Sequence, residues 1–363
     1  MRDARGRRRD AGPVGPGSQR GLALLVAILI VALGTMIAVA VAYENAMTAR
    51  RGVATYAFDQ SVLIAEGAEA LAAYGLRQIV QSSPKAIYPG QGWDKPLGPL
   101  EVVPGVVLEA SLEDLQGRFN LNNLVRTDGT PDPVMTAAFT QLLALVGLEQ
   151  TWTGFVVDWI DMDGTPSVPD GAEDSVYMGQ VVPYRTPNRY ITSASELLAL
   201  PGFGRDRYLK LAPYVIALPQ GTKINVCTAS GPVLDAFLGA GHTDFSSDPT
   251  ALTKNRQNTS GCFPTLQNYQ TAFSQQTWSG AAAPGTSGTT VTAIGQGVST
   301  PNTATGANAQ PQGAQSKFGQ TSNYFRLTSI VSIGSTEFNL YSLLYQDSQQ
   351  MLVRPIQRSF TPD

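Results

Sequence analysis

The sequence predicts an α+β fold with a long N-terminal helix, an antiparallel sheet of sequence-distant strands, and a large, mainly helical domain inserted between those strands. Three observations predict it. A helical pattern runs to about residue 81, short apolar and β-branched runs occur in residues 101–124 and 322–358, and helix-forming segments fill residues 130–240. A chain of 363 residues, 43% hydrophobic, can bury a sizeable core.

The N-terminal helix opens with a segment suited to a membrane. Residues 22–43 are 22 residues without a charge, and as a helix they span about 33 Å, the hydrocarbon thickness of a bilayer. This run is too long for the apolar region of a cleaved secretory signal. Six arginines and two aspartates in residues 1–21 predict a cytoplasmic N-terminus and a translocated body after about residue 44.

Composition narrows the functional classes. The formal net charge is −3, and because residues 1–21 carry +4, the remainder carries −7. An acidic body disfavours nucleic-acid binding, which depends on Lys and Arg neutralising phosphates. The chain has two cysteines and one histidine, too few residues for most zinc sites and His-dependent catalytic triads. No nucleophile with a paired base is visible. We therefore expect no catalytic residues and no enzyme.

The two cysteines, Cys227 and Cys262, lie in a stretch rich in Gly, Asn and Ser. Outside the cytosol they would suit one disulfide, and two free thiols are the alternative. Residues 279–316 have no charge and few apolar anchors, which predicts a disordered surface loop. Residues 324–358 contain short runs rich in Val, Ile, Tyr and Phe, which predict antiparallel hairpin strands.

An acidic segment stands out within the helical region. Six carboxylates occur in 17 residues without a Lys or Arg: Asp158, Asp161, Asp163, Asp170, Glu173 and Asp174. Such a density of like charge is unfavourable unless it is solvated or bound to a cation. Oxygen ligands in a loop with Gly and Pro suit calcium, although the spacing is not that of an EF-hand. Asp161, Asp163, Glu173 and Asp174 are the favoured ligands, and a solvated loop is the alternative.

A second motif in the helical region has the form of a helix-hairpin-helix turn. It occupies residues 200–204 and is followed by Arg205, Arg207 and Lys210, while residues 224–226 resemble the opening of a second such unit. In DNA-binding proteins this turn presents backbone amides to phosphate. A membrane-anchored periplasmic DNA receptor is therefore the alternative function, against which the nearby acidic segment argues. The turn is also a compact way to pack two helices.

Three stretches resemble the K-type minor pseudopilins (the GspK family) of bacterial type II secretion systems. Residues 19–21 before the apolar helix resemble a prepilin-peptidase site, with cleavage between Gly21 and Leu22. Residues 114–124 match the strand signature of the family, and the acidic segment through Tyr177 matches its calcium-binding pattern. Val26 stands at the fifth mature position, where most pseudopilins carry Glu and the K type does not.

The resemblance implies a pilin-like fold, structural Ca²⁺, and a role at the pseudopilus tip, initiating or capping the filament that exports folded proteins across the outer membrane. The implied partners are the I- and J-type minor pseudopilins, the major pseudopilin, prepilin peptidase and inner-membrane lipid, with no nucleic acid. The implied location is the inner membrane, single-pass, with a periplasmic body.

The predicted organisation follows the chain. It comprises a basic leader (1–21), a transmembrane helix (22–43), the rest of the helix with the first strands (44–125), an inserted helical domain with the calcium loop (126–245), a disulfide-containing and low-complexity loop region (246–321), and the C-terminal strands (322–363). Asn120, Asn122 and Asn123 are expected to cap turns and satisfy backbone groups.

Overall fold

A computed structural model describes residues 19–259, 261–274, 277–278, 291–292, 317–347 and 349–361. The helices are α1 (Gln19–Ser82), α2 (Pro133–Leu145), α3 (Trp152–Ile160), α4 (Asp174–Tyr177), α5 (Gly204–Leu211), α6 (Gly231–Leu238), α7 (Pro249–Thr259) and α8 (Leu266–Ser274). The strands are β1 (Leu97–Val103), β2 (Val106–Asp114), β3 (Phe119–Asn120), β4 (Val215–Ile216), β5 (Ile224–Asn225), β6 (Thr277–Trp278), β7 (Val291–Thr292), β8 (Phe318–Gly319), β9 (Tyr324–Ile333), β10 (Thr336–Asp347) and β11 (Leu352–Ser359).

Helix α1 is 64 residues long, which confirms the predicted N-terminal helix. The chain divides into two compact units after Gln60. Within the described residues, the first unit is α1 as far as Gln60. The most apolar 18-residue window of the helix has a mean hydropathy of 3.0, and none of it is buried within the chain. Among the described residues this is the one helix long and apolar enough to cross a membrane.

The second unit begins at Ser61 and packs the remainder of α1 against a sheet. Ala65, Ala68 and Leu76 recur at helical spacing, and they are buried in one core with Phe325 of β9. Alanine side chains let a helix backbone approach a sheet closely. The buried face of α1 is therefore set by small residues at regular spacing.

The sheet is antiparallel with strand order β1-β2-β9-β10-β11. Strand β2 pairs with β9 across the long intervening segment, with Leu108 opposite Val331 and Ala110 opposite Ser329. Alternate residues of β9 and β10 are buried, as expected for strands with one face on a core. This arrangement confirms the prediction that sequence-distant strands share one sheet.

A second, mainly helical core lies between β2 and β9 in the sequence. Its centre is aromatic, because the ring of Phe119 lies 5.4 Å from that of Phe139 in α2 and 5.8 Å from that of Phe237 in α6. Ser193 and Glu196 form a capping box at the start of a 3₁₀ helix, Ala194–Ala199. The inserted helical domain of the predicted fold is thus observed.

The region after β2 differs from the expectation that residues 101–124 form strands throughout. Strand β2 ends at Asp114, and 3₁₀ turns follow at Leu115–Gly117 and Leu121–Leu124. The carboxylate of Asp114 accepts a hydrogen bond from Gln116 N, and the side chain of Asn120 accepts one from Asn122 N. These local side-chain bonds compete with strand pairing and end the strand. As expected, Asn120 caps a turn, and Asn122 and Asn123 bond to backbone groups.

Residues 246–321 were expected to form a loop region, and this expectation is wrong for its first part. Helices α7 and α8 lie there. Helix α8 is held in place because Tyr269 and Phe273 on one of its faces are buried against Phe318. The structure joins Cys227 and Cys262 in a disulfide ahead of α8. Apart from β7, the predicted disordered stretch 279–316 lies outside the described residues.

Candidate metal centre

The acidic segment folds into a loop between α3 and α4, and Asp158 of α3 holds it. Its carboxylate, which is fully buried, accepts hydrogen bonds from Ser167 N at 3.0 Å and from Ala172 N at 2.7 Å. A Cβ on Gly171 would collide with this carboxylate, so the close approach requires glycine there. Asp158 therefore fixes the path of the loop by accepting hydrogen bonds from backbone amides. Its oxygens are already engaged in these bonds.

The loop brings three carboxylates together. One oxygen from each of Asp161, Asp163 and Glu173 lies within 4.8 Å of the others. Asp161 and Glu173 are buried, whereas Asp163 is exposed. The Oδ1 atom of Asp161 and the Oε1 atom of Glu173 have no hydrogen-bond partner among the described residues. Buried polar atoms are nearly always paired, so these oxygens mark a position where a ligand would bind.

The electrostatics of the cluster favour a cation. Burial, together with the charges of Asp158, Asp163 and Glu173, raises the pKa of Asp161 to about 7. Burial also raises the pKa of Glu173, with contributions from neighbouring carboxylates, while a hydrogen bond from Thr186 opposes the rise. Like charges held this close destabilise their ionised forms, and a divalent cation between them would offset that repulsion.

The remaining predicted ligands lie outside this cluster. Asp158 holds the loop, as described above. Asp174 accepts hydrogen bonds from the backbone nitrogen and the hydroxyl of Thr186 at 3.1 and 3.2 Å, and its other oxygen lies 3.7 Å from the Arg185 guanidinium. Asp170 is not part of the three-carboxylate group. The structure thus brings together three of the six residues.

Sequence reasoning missed Asn188. Its side-chain nitrogen donates to the backbone oxygen of Asp163 at 2.6 Å, and its buried Oδ1 has no partner among the described residues. Its φ is 44°, in the left-handed region that Asn tolerates better than most residues. The hydroxyl of Tyr177, fully buried beneath the loop, likewise has no partner in the described chain. The sequence gave no indication of Asn188 as a candidate ligand, because a single asparagine outside the acidic segment does not stand out.

The donors present fit a hard divalent cation. Carboxylate and amide oxygens are the ligands that calcium takes, and calcium tolerates the irregular geometry of such a loop. Asp161, Asp163 and Glu173 would hold the ion, with the amide oxygen of Asn188 as a further oxygen donor. When bound, the ion would tie the end of α3 to the start of α4 by neutralising their charges.

The helix-hairpin-helix-like turn is engaged within the protein. Arg207 of α5 donates to the carbonyl oxygens of Gly202 and Phe203, both at 3.1 Å. Its guanidinium pairs with Glu149 at 2.6 and 2.9 Å and lies 5.4 Å from the ring centre of Trp152. This cation therefore stabilises helix packing. Residues 224–225, expected to open a second unit, form β5 and pair with β8.

The fold defines a class of protein, namely pilin-like subunits in which one long helix supplies both a membrane-compatible segment and a packing partner for an antiparallel sheet. A solved chain from the GspK-GspI-GspJ complex of the enterotoxigenic Escherichia coli type 2 secretion system has the same fold. The TM-score is 0.63, with 20% identity over 86% of this chain and all of that one.

Sequence similarity identifies the family within that class. Residues 117–220 match the family described as Type II secretion system (T2SS), protein K. The type II secretion system protein K of Pseudomonas aeruginosa PAO1 is 36% identical over 61% of this chain and 68% of its own length. That of Klebsiella pneumoniae is 35% identical over 61% and 70%. The chain belongs to the type II secretion system protein K family, and its role is that of a minor pseudopilin. These similarities give the DNA-receptor alternative no support.

Proposed function

We propose that this minor pseudopilin initiates or caps the pseudopilus at its tip, assembled with I- and J-type minor pseudopilins and with the major pseudopilin. The observation that carries the proposal is that the part of α1 in the second unit has one buried face and one exposed apolar face. One face is buried on the sheet, whereas Leu63, Leu71 and Tyr74 on the other face are exposed. An exposed apolar stripe on a helix is a packing surface for another helix.

The similar solved chain comes from a complex named for GspK, GspI and GspJ, which supports partners of the I and J types. A test compares Leu71→Asp with Leu209→Asp, which places the same charge on an exposed leucine of α5. Co-purification with co-expressed I- and J-type subunits is expected to fail for Leu71→Asp alone. Equal co-purification of both variants would overturn the use of this stripe.

The proposed location is the inner membrane, with the N-terminus cytoplasmic and the body periplasmic. The arginine-rich residues 1–21 precede the apolar segment, which supports this orientation. The disulfide between Cys227 and Cys262 also supports an oxidising compartment for the body. Cysteine-accessibility labelling of residues placed on either side of the apolar segment would measure the orientation.

Processing by prepilin peptidase between Gly21 and Leu22 is part of the proposal. The experiment is intact mass and N-terminal analysis of protein recovered from membranes, with and without co-expressed peptidase. We expect a new N-terminus at Leu22 that depends on the peptidase, and an uncut Gly21→Val variant. A Gly34→Val variant, altered within the apolar helix, should still be cut. An uncut wild-type chain would contradict this step.

We further propose that Ca²⁺ is a structural cofactor of the acidic loop. The support is the cluster of Asp161, Asp163 and Glu173, two of which have unpartnered buried oxygens. The ion would order the loop and thereby shape the surface of the helical domain. The readout is the effect of calcium on the unfolding temperature of the protein.

A further inference from the structure

A cleft of about 250 Å³ opens at the junction of the sheet and the helical domain. Residues 221–223 form one side, and Tyr324 of β9 and Tyr345 of β10 form another, with Gln116, Thr321 and Asn323 completing the lining. Neither the metal centre nor the exposed stripe on α1 includes any of these residues. The cleft is therefore a separate feature of the second unit.

The floor of the cleft is already hydrogen-bonded to the protein. Gln116 donates from Nε2 to the backbone oxygen of Lys223 at 2.8 Å and accepts at Oε1 from Asn323 N at 2.5 Å. Asn323 in turn donates from Nδ2 to Gln346 O at 2.6 Å. These bonds join the helical domain, β9 and β10. The cleft is thus preformed, and a ligand would not have to order it.

The lining offers one ammonium and three hydroxyls, all of which can donate hydrogen bonds. Among the described residues Lys223 makes no ion pair, and the hydroxyls of Tyr324, Tyr345 and Thr321 make no hydrogen bond to the protein. The lining contains no Asp or Glu, although the chain has more acidic than basic residues. An ammonium with nearby hydroxyls and no carboxylate is suited to an anionic acceptor.

The walls indicate what carries that anion. The rings of Tyr324 and Tyr345 lie 5.2 Å apart across the strand pair and form an aromatic wall of the cleft that Lys223 also lines. The Lys223 stem lies beside Gly319, since a Cβ there would be 3.7 Å from Cβ and Cδ of the lysine. Tyrosine is enriched at protein-binding interfaces, whereas bidentate recognition of phosphate relies on arginine, which this lining lacks.

We propose that this cleft binds an acidic, extended peptide segment of a partner polypeptide. One side-chain carboxylate of the peptide would bind Lys223 and the tyrosine hydroxyls, and the aliphatic part of that same peptide side chain would pack against the two rings. The interaction does not depend on the tip position or on the calcium centre. It would give the subunit a second contact surface, distinct from helix packing.

The test uses the full chain in detergent micelles, labelled with 3-fluorotyrosine and observed by ¹⁹F NMR. The resonances of Tyr324 and Tyr345 are assigned from the Tyr324→Phe and Tyr345→Phe variants. The probe is a synthetic pentapeptide of alternating Glu and Gly with both ends blocked, compared with its Gln counterpart, sodium acetate and inorganic phosphate. We expect both resonances to shift saturably with the Glu peptide alone, at an affinity of roughly 1 mM or tighter.

Variants locate the binding. Lys223→Gln should weaken the peptide roughly tenfold or more, since a hydrogen-bonded charge is lost, whereas Lys254→Gln, which changes an exposed lysine of α7, should leave the affinity unchanged. Tyr345→Phe, which keeps the ring and removes the hydroxyl, should weaken binding while unfolding at the wild-type temperature. Three results would overturn the proposal: no saturable shift, equal shifts with phosphate or acetate, or binding insensitive to Lys223→Gln.

Discussion

Glu69 of α1 and Arg358 of β11 form a two-point ion pair, with Nη2 to Oε2 at 2.6 Å and Nε to Oε1 at 2.9 Å. The hydroxyl of Ser342 in β10 donates to the same carboxylate at 2.5 Å. Glu69 is only 4% exposed, whereas the Arg358 side chain is 44% exposed. The pair therefore connects the last strand to the face of α1 that packs on the sheet.

Arg358→Gln is expected to lower the free energy of unfolding by about 2 kcal/mol, because it leaves a buried carboxylate without its counter-charge. The value is below that for a fully buried pair, since Arg358 is half-exposed and solvent screens it. Thermal and urea unfolding followed by circular dichroism would measure the change. Arg354→Gln, on an exposed arginine of the same strand without an ion pair in the described chain, is the control. Equal effects of the two variants would contradict a specific role for Arg358.

Calcium is expected to raise the unfolding temperature of the protein and EGTA to lower it. At a hundredfold excess of free ion over its dissociation constant the stabilisation is about 2.7 kcal/mol. Asp161→Asn and Glu173→Gln should abolish the calcium response, because they remove clustered oxygen charges. Asp170→Asn, outside the cluster, should retain it. A full response in Asp161→Asn would refute the assignment of the site.

Asn188→Ala is expected to weaken calcium binding without abolishing it, because the three clustered carboxylates remain. Isothermal titration calorimetry would show a dissociation constant raised roughly tenfold, the scale of one lost hydrogen-bonding or ligand group. Asn268→Ala changes an exposed asparagine of α8 and should bind calcium as the wild type does. An unchanged constant for Asn188→Ala would remove it from the ligand set.

Removing the disulfide with Cys262→Ser is expected to cost roughly 4 kcal/mol, on the loop-closure estimate for a sequence separation of 35. The segment carrying α7 and α8 would then be held by noncovalent contacts, chiefly the packing of Tyr269 and Phe273 and the hydrogen bonds from Arg256 to the protein backbone. Limited proteolysis should therefore cut within residues 249–274 sooner than in the wild type. The double variant Cys227→Ser with Cys262→Ser should behave like the single one, and stability equal to the wild type would contradict the prediction.

Asn225 joins separate segments and is fully buried, so its replacement should be costly. Its amide nitrogen lies 2.9 Å from Ile87 O, 3.0 Å from Asp114 Oδ2 and 2.8 Å from Ser322 Oγ, so its two hydrogens are shared among three acceptors. Burial raises the pKa of Asp114, against hydrogen bonds from its neighbours that lower it. Asn225→Asp would set a second carboxylate beside it, with an expected loss of about 3 kcal/mol at neutral pH.

The pH dependence of Asn225→Asp has a definite sign. A carboxyl whose folded-state pKa is raised contributes stability at low pH that is lost as pH rises above its unfolded-state value. The deficit of Asn225→Asp relative to wild type should therefore shrink on acidification and grow toward neutral pH. Asn225→Ala removes one hydrogen bond that lowers the pKa of Asp114, so its deficit should show a weaker pH dependence of the same sign. Urea unfolding across pH measures both, and a pH-independent deficit in Asn225→Asp would contradict the account.

Local sequence patterns were sufficient for the elements whose signals are regular. The charge-free run and helical spacing predicted α1, and the short β-branched and aromatic runs predicted β9, β10 and β11. Density of charge alone pointed to the acidic loop. By contrast α8 was missed, because its two buried aromatic residues are a weak local signal. They are buried through contact with Phe318, which is distant in the sequence.

The amino-acid order by itself established a long helix with a membrane-compatible start, strands at both ends of an insertion, and an acidic loop able to attract a cation. Only tertiary structure decided which three carboxylates meet, that Asp158 holds the loop through backbone amides, and that Asn188 lies beside Asp163. The physical reason is the distance along the chain over which each kind of interaction acts. Periodicity and charge density act between near neighbours, whereas ligand geometry depends on contacts that folding creates between distant segments.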